Sequence, residues 1–258
     1  MSMRRTATVS ANAHVKAMQK CKPGLYEYQI EAELIYHFIQ DGLRAVAYPS
    51  IVAGGKNACV LHYTENADKL KSGDLLLIDA GAECDHYAAD ITRTFPVSGR
   101  FSEPQKLLYQ LVLDAQTAAI AQIKPGLPWN LAHEASVEVL TKGLVALGLL
   151  KGKVSKLIKD EKYKQFYMHR IGHWLGMDVH DVGDYKIDKE WRLLEPGMVL
   201  TVEPGLYIPA DCLTVDPQWR GIGIRIEDDI LVTALGHEVL TGGAPKTIAE
   251  IESVMQAS

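Results

Sequence analysis

Leu75-Leu76-Leu77-Ile78-Asp79-Ala80-Gly81 decides how the rest of the chain is read. Four apolar residues between Gly73-Asp74 and Ala80-Gly81 predict a buried strand. Its last residue, Asp79, needs an explanation, because an ionised carboxylate in an apolar interior is costly unless something positive meets it. Eleven residues on, the strand-like run 87–95 carries Asp90. A tight turn at Cys84-Asp85 would give a hairpin whose facing residue numbers sum to 169. Asp79 and Asp90 would then be directly opposite, with Cβ atoms about 5 Å apart. Carboxylates that close repel, so one must hold a proton or a cation must lie between them. On the hairpin alone, a cation site and two unrelated acids at strand ends stand level. Cys-Asp is a poor turn pair, and a longer, bulged loop would shift this register.

The composition narrows the classes. The chain has 258 residues, 47% of them hydrophobic, with a net charge of -5. That length suits one large domain or two fused halves with an ample core. The acidic balance argues against nucleic acid or an anionic membrane as partner. Cys21, Cys59, Cys84 and Cys212 are widely spaced with no C-x-x-C. That pattern fits reduced thiols rather than a disulfide framework or a thiolate zinc site. No apolar run reaches about 18 residues, and the N-terminus lacks an apolar signal core. The predicted location is cytoplasmic.

Residues 3–20 read as a helix that stops at Lys22-Pro23-Gly24. A second, from Tyr26 to about Gln40, carries Ile30, Leu34, Ile35 and Phe38 at helical spacing. Loop and strand follow over 47–63, with Gly54-Gly55 as a turn. Ser102 caps a long helix, with Gln105 three residues on and Pro104 in the first turn. A further helix covers about 130–147. The charge-rich stretch 151–164 reads as a solvated connection, and strands are predicted at 197–203, 205–209 and 222–233. Helices and strands in blocks give an α+β class. Lys-Pro-Gly recurs at 22–24 and 124–126, each time between two helices. Gly73 precedes Asp79 by the same spacing as Gly197 precedes Glu203, each across a mainly apolar stretch. The chain therefore reads as two diverged helix–helix–strand copies whose acids approach one central site.

Two further stretches aim at that site. In Ile222-Gly223-Ile224-Arg225-Ile226-Glu227 the isoleucines take one face, and Gly223, Arg225 and Glu227 the other. Taken alone, Arg225 and Glu227 read as an edge pair; beside three other acids, Glu227 is a fourth carboxylate. The glycine-punctuated segment 168–183 holds His169, His173 and His180, and His62 is an isolated candidate. Four carboxylates balance two divalent cations, and one neutral imidazole completes the set. Oxygen-rich ligation without cysteine favours Mn(II), with Co(II), Fe(II) or Zn(II) as other occupants. Two such ions about 3.5–4 Å apart can share a water and lower its pKa. Gly54-Gly55-Lys56-Asn57 is not a phosphate loop, Gly221-Ile222-Gly223 is not a dinucleotide fingerprint, and no Gly-x-Ser-x-Gly elbow occurs.

The ordered motifs IDAG-x8-DITRTFPV, GHWLGMDVHDVG, PGMVLTVEPGLYI and GIGIRIEDDI span the chain. Together they resemble the catalytic domain of the bacterial Xaa-Pro aminopeptidases (aminopeptidase P). These belong to the M24 metallopeptidase family shared with prolidase and methionine aminopeptidase. GHWLGMDVHDVG and NACVLHYTEN resemble the proline-directed branch. The resemblance implies a pita-bread fold: one domain, 1–258, of two pseudo-repeats (about 1–100 and 101–245) around a curved, mainly antiparallel sheet. It implies that Asp79 holds one metal, Asp90 and Glu227 bridge both, and His173 and Glu203 hold the other. His62 and His180 would flank the scissile bond, Glu203 would move the proton, and His169, Tyr207 and Arg225 would line the proline pocket. The implied substrate is a peptide with proline second. Members of this branch carry an N-terminal domain that helps oligomerisation and closes part of the cleft. Here the chain begins at the first helix of the catalytic domain, so a homo-oligomer stays an open expectation. The alternatives are a prolidase that cuts only Xaa-Pro dipeptides and a non-hydrolytic peptide- or protein-binding module on the same fold.

Overall fold

Apolar faces at two periods dictate the elements. The computed structural model describes residues 2–257. Helix α1 (Ser2–Lys20) and helix α2 (Glu27–Gln40) pack together, and Ile30, Leu34 and Phe38 bury the inner stripe of α2. Short strands follow: β1 (Ala45–Val46), β2 (Ile51–Gly54), β3 (Leu75–Asp79), β4 (Ala82–Cys84), β5 (Tyr87–Ala88) and β6 (Thr92–Pro96). Helix α3 (Glu103–Ile120) starts as its sequence predicts: Gln105 Oε1 accepts from Ser102 N at 2.8 Å, closing a capping box. It packs on α4 (Asn130–Ala146). After α5 (Val154–Lys159) come β7 (Lys186–Ile187), β8 (Glu190–Trp191), β9 (Val199–Val202), β10 (Gly205–Ile208), β11 (Ile222–Arg225), β12 (Asp228–Thr233), β13 (Gly236–Val239) and α6 (Ile248–Gln256).

The strand pairings are antiparallel and fall into short sheets: β2-β3-β6, β1-β4-β5, β13-β12-β9, β10-β11 and β7-β8. Strand β3 is covered on both faces, as a continuous apolar run requires. Leu76 and Ile78 enter the large core with Phe95, Leu108 and Ile224. Leu77 joins Ile51, Ala53, Ala58 and Tyr63 in a smaller cluster under the 55–63 loop. Asp79 shares the parity of Leu77 and so faces that loop. A second large cluster holds Trp129, Ile171, Trp174, Leu200 and Val202, behind the histidine-rich segment.

Three expectations are corrected. The hairpin turns at Asp85-His86, not Cys84-Asp85. Both turn residues have positive φ, 51° and 70°, and Cys84 pairs with Tyr87. Asp79 therefore lies opposite Thr92, and facing residues sum to 171. The slip is two residues, so Asp79 and Asp90 keep the predicted face but sit diagonally. Next, 222–233 is not one strand. It breaks at Ile226-Glu227, with β11 pairing to β10 and β12 to β9 and β13. Finally, 151–164 is not merely solvated. It forms α5 and a 3-10 turn (Lys162–Gln165), which bury Leu157 and Tyr163.

Candidate metal centre

The ends of β3 and β11, the break before β12, the turn after β9 and the 169–180 segment converge on one cavity of about 210 Å³. It is lined by His62, Asp79, Asp90, His169, His173, His180, Glu203, Arg225 and Glu227 among others. Tyr207, fully buried, adjoins it through His169 and Arg225. Every site residue singled out from the sequence is thus brought to one place. Donor atoms of Asp90, His173 and Glu227 all lie within 4.8 Å of one another. Asp79 and Glu203 stand just outside that tightest triad but line the same space.

Local chemistry sets each side chain. His173 Nδ1 lies 3.0 Å from the Trp174 carbonyl, so it carries a proton. Nε2 then points at Asp90 Oδ2 (3.3 Å) and Glu203 Oε1 (3.5 Å). Ligating histidines are commonly oriented by such a carbonyl. Burial works against a charged His173, yet the Asp90 hydrogen bond and the Glu203 charge outweigh it and hold the imidazole up at about 9. Burial first, then neighbouring charge, pushes Asp79 up to about 6 and holds Glu227 well above the usual carboxylate range. Burial likewise raises Glu203 to about 7, against the pull of His173 and Arg225. Four converging carboxylates and an imidazole that resists losing its proton make a site hungry for positive charge. That donor set, oxygens with one nitrogen and no sulfur, fits divalent cations.

Arg225 braces the wall. Its Nη2 donates to Asp79 Oδ2 at 2.7 Å, Nε to Thr92 Oγ1 at 3.0 Å, and Nη1 to the Tyr207 hydroxyl at 3.1 Å. Because Nδ1 of His169 meets the Arg170 carbonyl at 2.8 Å, that nitrogen carries the proton. His169 Nε2 is then the acceptor for Tyr207, 2.9 Å away. Burial and the Arg225 charge push His169 down to about 3, so it stays neutral. The His180 ring lies edge-on to His173, centroids 4.2 Å apart.

Two participants were missed in the sequence. Thr92 Oγ1 donates to Glu227 Oε2 at 2.6 Å. Its signal was available, since residues 90, 92 and 94 share one face of an alternating strand. The Tyr48 hydroxyl lies 2.6 Å from Asp79 Oδ1 and 2.5 Å from Asp90 Oδ1. A single tyrosine before Pro49 gave no pattern to read.

The family model of metallopeptidase family M24 matches residues 1–234. The chain belongs to metallopeptidase family M24. This M24 chain is 53% identical over 253 residues to a Xaa-Pro aminopeptidase of Haemophilus influenzae, covering 98% of itself and 58% of that protein. It superposes on aminopeptidase PepP of Pseudomonas aeruginosa with a TM-score of 0.98 and 62% identity, over 99% of this chain and 58% of that one. A zinc-substituted Escherichia coli aminopeptidase P, solved with product, matches with a TM-score of 0.96 and 49% identity over 99% of this chain and 58% of its own. The fold is accordingly the pita-bread fold of that family. The chain spans less than two thirds of the length of these relatives.

Proposed function

We propose that this M24 chain is the catalytic part of an Xaa-Pro aminopeptidase that releases the first residue from peptides with proline second. The observation that carries the reading is the convergence of Asp79, Asp90, His173, Glu203 and Glu227 on one cavity, with His62, His169, His180 and Arg225 around it. Relatives about half identical over nearly the whole chain carry that activity in their names. Asp79 would hold one cation, Asp90 and Glu227 both, and His173 and Glu203 the other. Two divalent cations, Mn(II) first and Co(II), Fe(II) or Zn(II) as alternatives, would supply Lewis-acid polarisation and an activated water there.

The side chains divide the remaining work. Glu203 takes the proton of the attacking water and passes it to the departing proline nitrogen. Thr201 Oγ1, 3.2 Å from Glu203 Oε1, steadies it. His62 and His180 flank the scissile bond and stabilise charge that develops on its oxygen. A peptide proline nitrogen has no N–H, so the ring is recognised by shape. His169, locked by hydrogen bonds at both nitrogens, offers a rigid wall with Tyr207 and Arg225. A recess of about 260 Å³ shares His62, Asp79, Asp90 and His180 with the metal centre, and its remaining wall of Tyr48, Pro49, Ile51, Thr64 and Val179 suits the first residue.

The same reading makes blocks 1–100 and 101–245 diverged copies. It is supported by matched glycines at positive φ: Gly24 (95°) with Gly126 (81°), and Gly73 (90°) with Gly197 (96°). A cytoplasmic setting and self-association belong to this reading as well; the free thiols Cys21, Cys59, Cys84 and Cys212 fit a reducing compartment. The test is release of the first residue from an Xaa-Pro tripeptide and an Xaa-Pro dipeptide, before and after chelation. Loss on chelation, recovery with Mn(II) and turnover of the tripeptide are expected. Turnover of the dipeptide alone would mean a prolidase. No turnover by metal-replete protein would leave a non-hydrolytic binding module.

A further inference from the structure

Glu27 opens α2 and exposes no surface, yet it does not line the cavity. Its carboxylate receives four hydrogen bonds. Oε1 accepts from Gly54 N at 2.7 Å and Asn57 Nδ2 at 3.0 Å, and Oε2 from the Tyr63 hydroxyl at 2.8 Å and Asp68 N at 2.8 Å. Every donor is neutral. Burying a charge among neutral donors is a costly way to gain stability, since an apolar side chain of similar size often serves as well. The four donors share one property: all come from 54–68, the stretch that leaves β2, passes the cavity and returns to β3. His62 lies in that stretch, next to the anchored Tyr63.

The rest of the loop is tied to the same purpose. Glu27 N donates to the Asp68 carbonyl at 3.0 Å, closing the return end. Asn66, at a positive φ of 47°, accepts from Val52 N at 2.9 Å and donates to the Ser50 carbonyl at 2.8 Å. The Tyr63 ring is buried against Ile51, Ala53, Ala58 and Leu77. One oxygen of Glu27 therefore grips the start of the loop, and the other grips its end and the residue beside His62.

We propose that Glu27 is a positioning residue for His62, fixing the loop so that the imidazole stands at the mouth of the metal centre. The inference rests on the catalytic reading of His62 given above. Glutamine at 27 keeps the size but turns one of the two acceptors into a donor. Its amide NH2 then faces either the Gly54 and Asn57 N–H groups or the Asp68 N–H, whichever way it is flipped, and although the Tyr63 hydroxyl can turn to accept, that end of the loop is loosened.

The test uses E27Q and Y63F, the latter removing only the bond nearest His62. The His62 ring resonances are followed in zinc-loaded, histidine-labelled protein and assigned by their loss in H62A. Both variants are expected to shift or broaden the His62 signal with bound metal unchanged. Turnover of an Xaa-Pro tripeptide should fall in kcat by about 10-fold for E27Q and about 3-fold for Y63F, with KM within about 2-fold. In the H62A background the further loss should shrink to under about 2-fold, because the group being positioned is gone. Folded, metal-replete variants with the His62 signal at its wild-type place would overturn the proposal. So would losses as large without His62 as with it. If H62A itself turned over normally, the catalytic role of His62 would fail, while the resonance still decides whether Glu27 places it. If E27Q does not fold, Y63F carries the same readouts.

Discussion

Thr92→Val tests whether the metal centre is built by the side chains behind it. The exchange replaces one hydroxyl by a methyl at a position with no exposure. Two bonds vanish: Thr92 to Glu227 Oε2 at 2.6 Å, and Arg225 Nε to Thr92 at 3.0 Å. Only the first reaches a proposed metal ligand, and one hydrogen bond to a charged group contributes about 1.5–3 kcal/mol. Partners that orient a metal ligand typically change affinity by about 10–100-fold. At about 1.4 kcal/mol per decade that is about 1.4–2.8 kcal/mol, so the two routes agree. Valine at 92 should therefore weaken metal binding by about 10–100-fold. Competition with a chromophoric chelator measures it, and turnover against added Mn(II) should shift by the same factor. Saturating metal should restore most of the rate, since no proposed catalytic group is lost. A folded T92V protein that holds metal as tightly as wild type would refute the claim that Thr92 aims Glu227.

Two further outcomes follow from the same geometry. Burial raises Asp79 to about 6 and Glu203 to about 7, against about 4 in an unfolded chain. Between about pH 4 and 7 these two carboxyls bind more protons folded than unfolded, but His14 and His133, pushed down by burial to about 4, and His169, at about 3, bind fewer up to about pH 6.5 and offset them. Above about pH 6.5 that offset ends, and Glu203 at about 7 and His173 at about 9 make the metal-free fold lose stability as pH rises toward 9. Asp228, held down at about 2 against burial by Arg93 and Lys246, contributes a constant amount over that window. Calorimetry should show metal-free protein melting higher at pH 6.5 than at pH 8.5, with Mn(II) removing the difference; a flat profile without metal over that range would contradict the account. Gly81→Ala would put a Cβ 1.8 Å from the Ala89 carbonyl oxygen and 2.6 Å from its carbon. The backbone cannot yield there without moving Asp90, so a loss of about 3 kcal/mol or more and failure of metal binding are expected. Wild-type melting and metal uptake in G81A would show that the close approach is dispensable.

Much of the site was legible because its chemistry conflicts with its surroundings. Asp79 at the end of an apolar strand, and three histidines in a glycine-punctuated stretch, are anomalies a sequence displays. The register was less legible because it hung on which two residues made the turn. Asp85 and His86 both take positive φ, a conformation Asp and His tolerate better than Cys84 would. The offset of two residues preserves the face, so Asp79 and Asp90 still line one cavity. The break at Ile226-Glu227 had no glycine or proline to announce it. It arises because β11 and β12 belong to different sheets, a tertiary fact. In 151–164 the lysines hid the apolar Leu157 and Tyr163, which pin the segment. Tyr48 carried no pattern at all, since its role depends on a strand pair 31 and 42 residues away.

Arg225 meets Asp79 across 146 positions of chain, and Glu227 meets Thr92 across 135. Such distant partners find each other only after most of the loops between them have closed, so this cavity is among the last things to form. A cation that occupies it should therefore slow the opening of the finished molecule more than it hastens folding. Uptake of metal becomes a timer for the end of folding, since a chain halted halfway would offer only the local pair Asp79 and Asp90 to the ion.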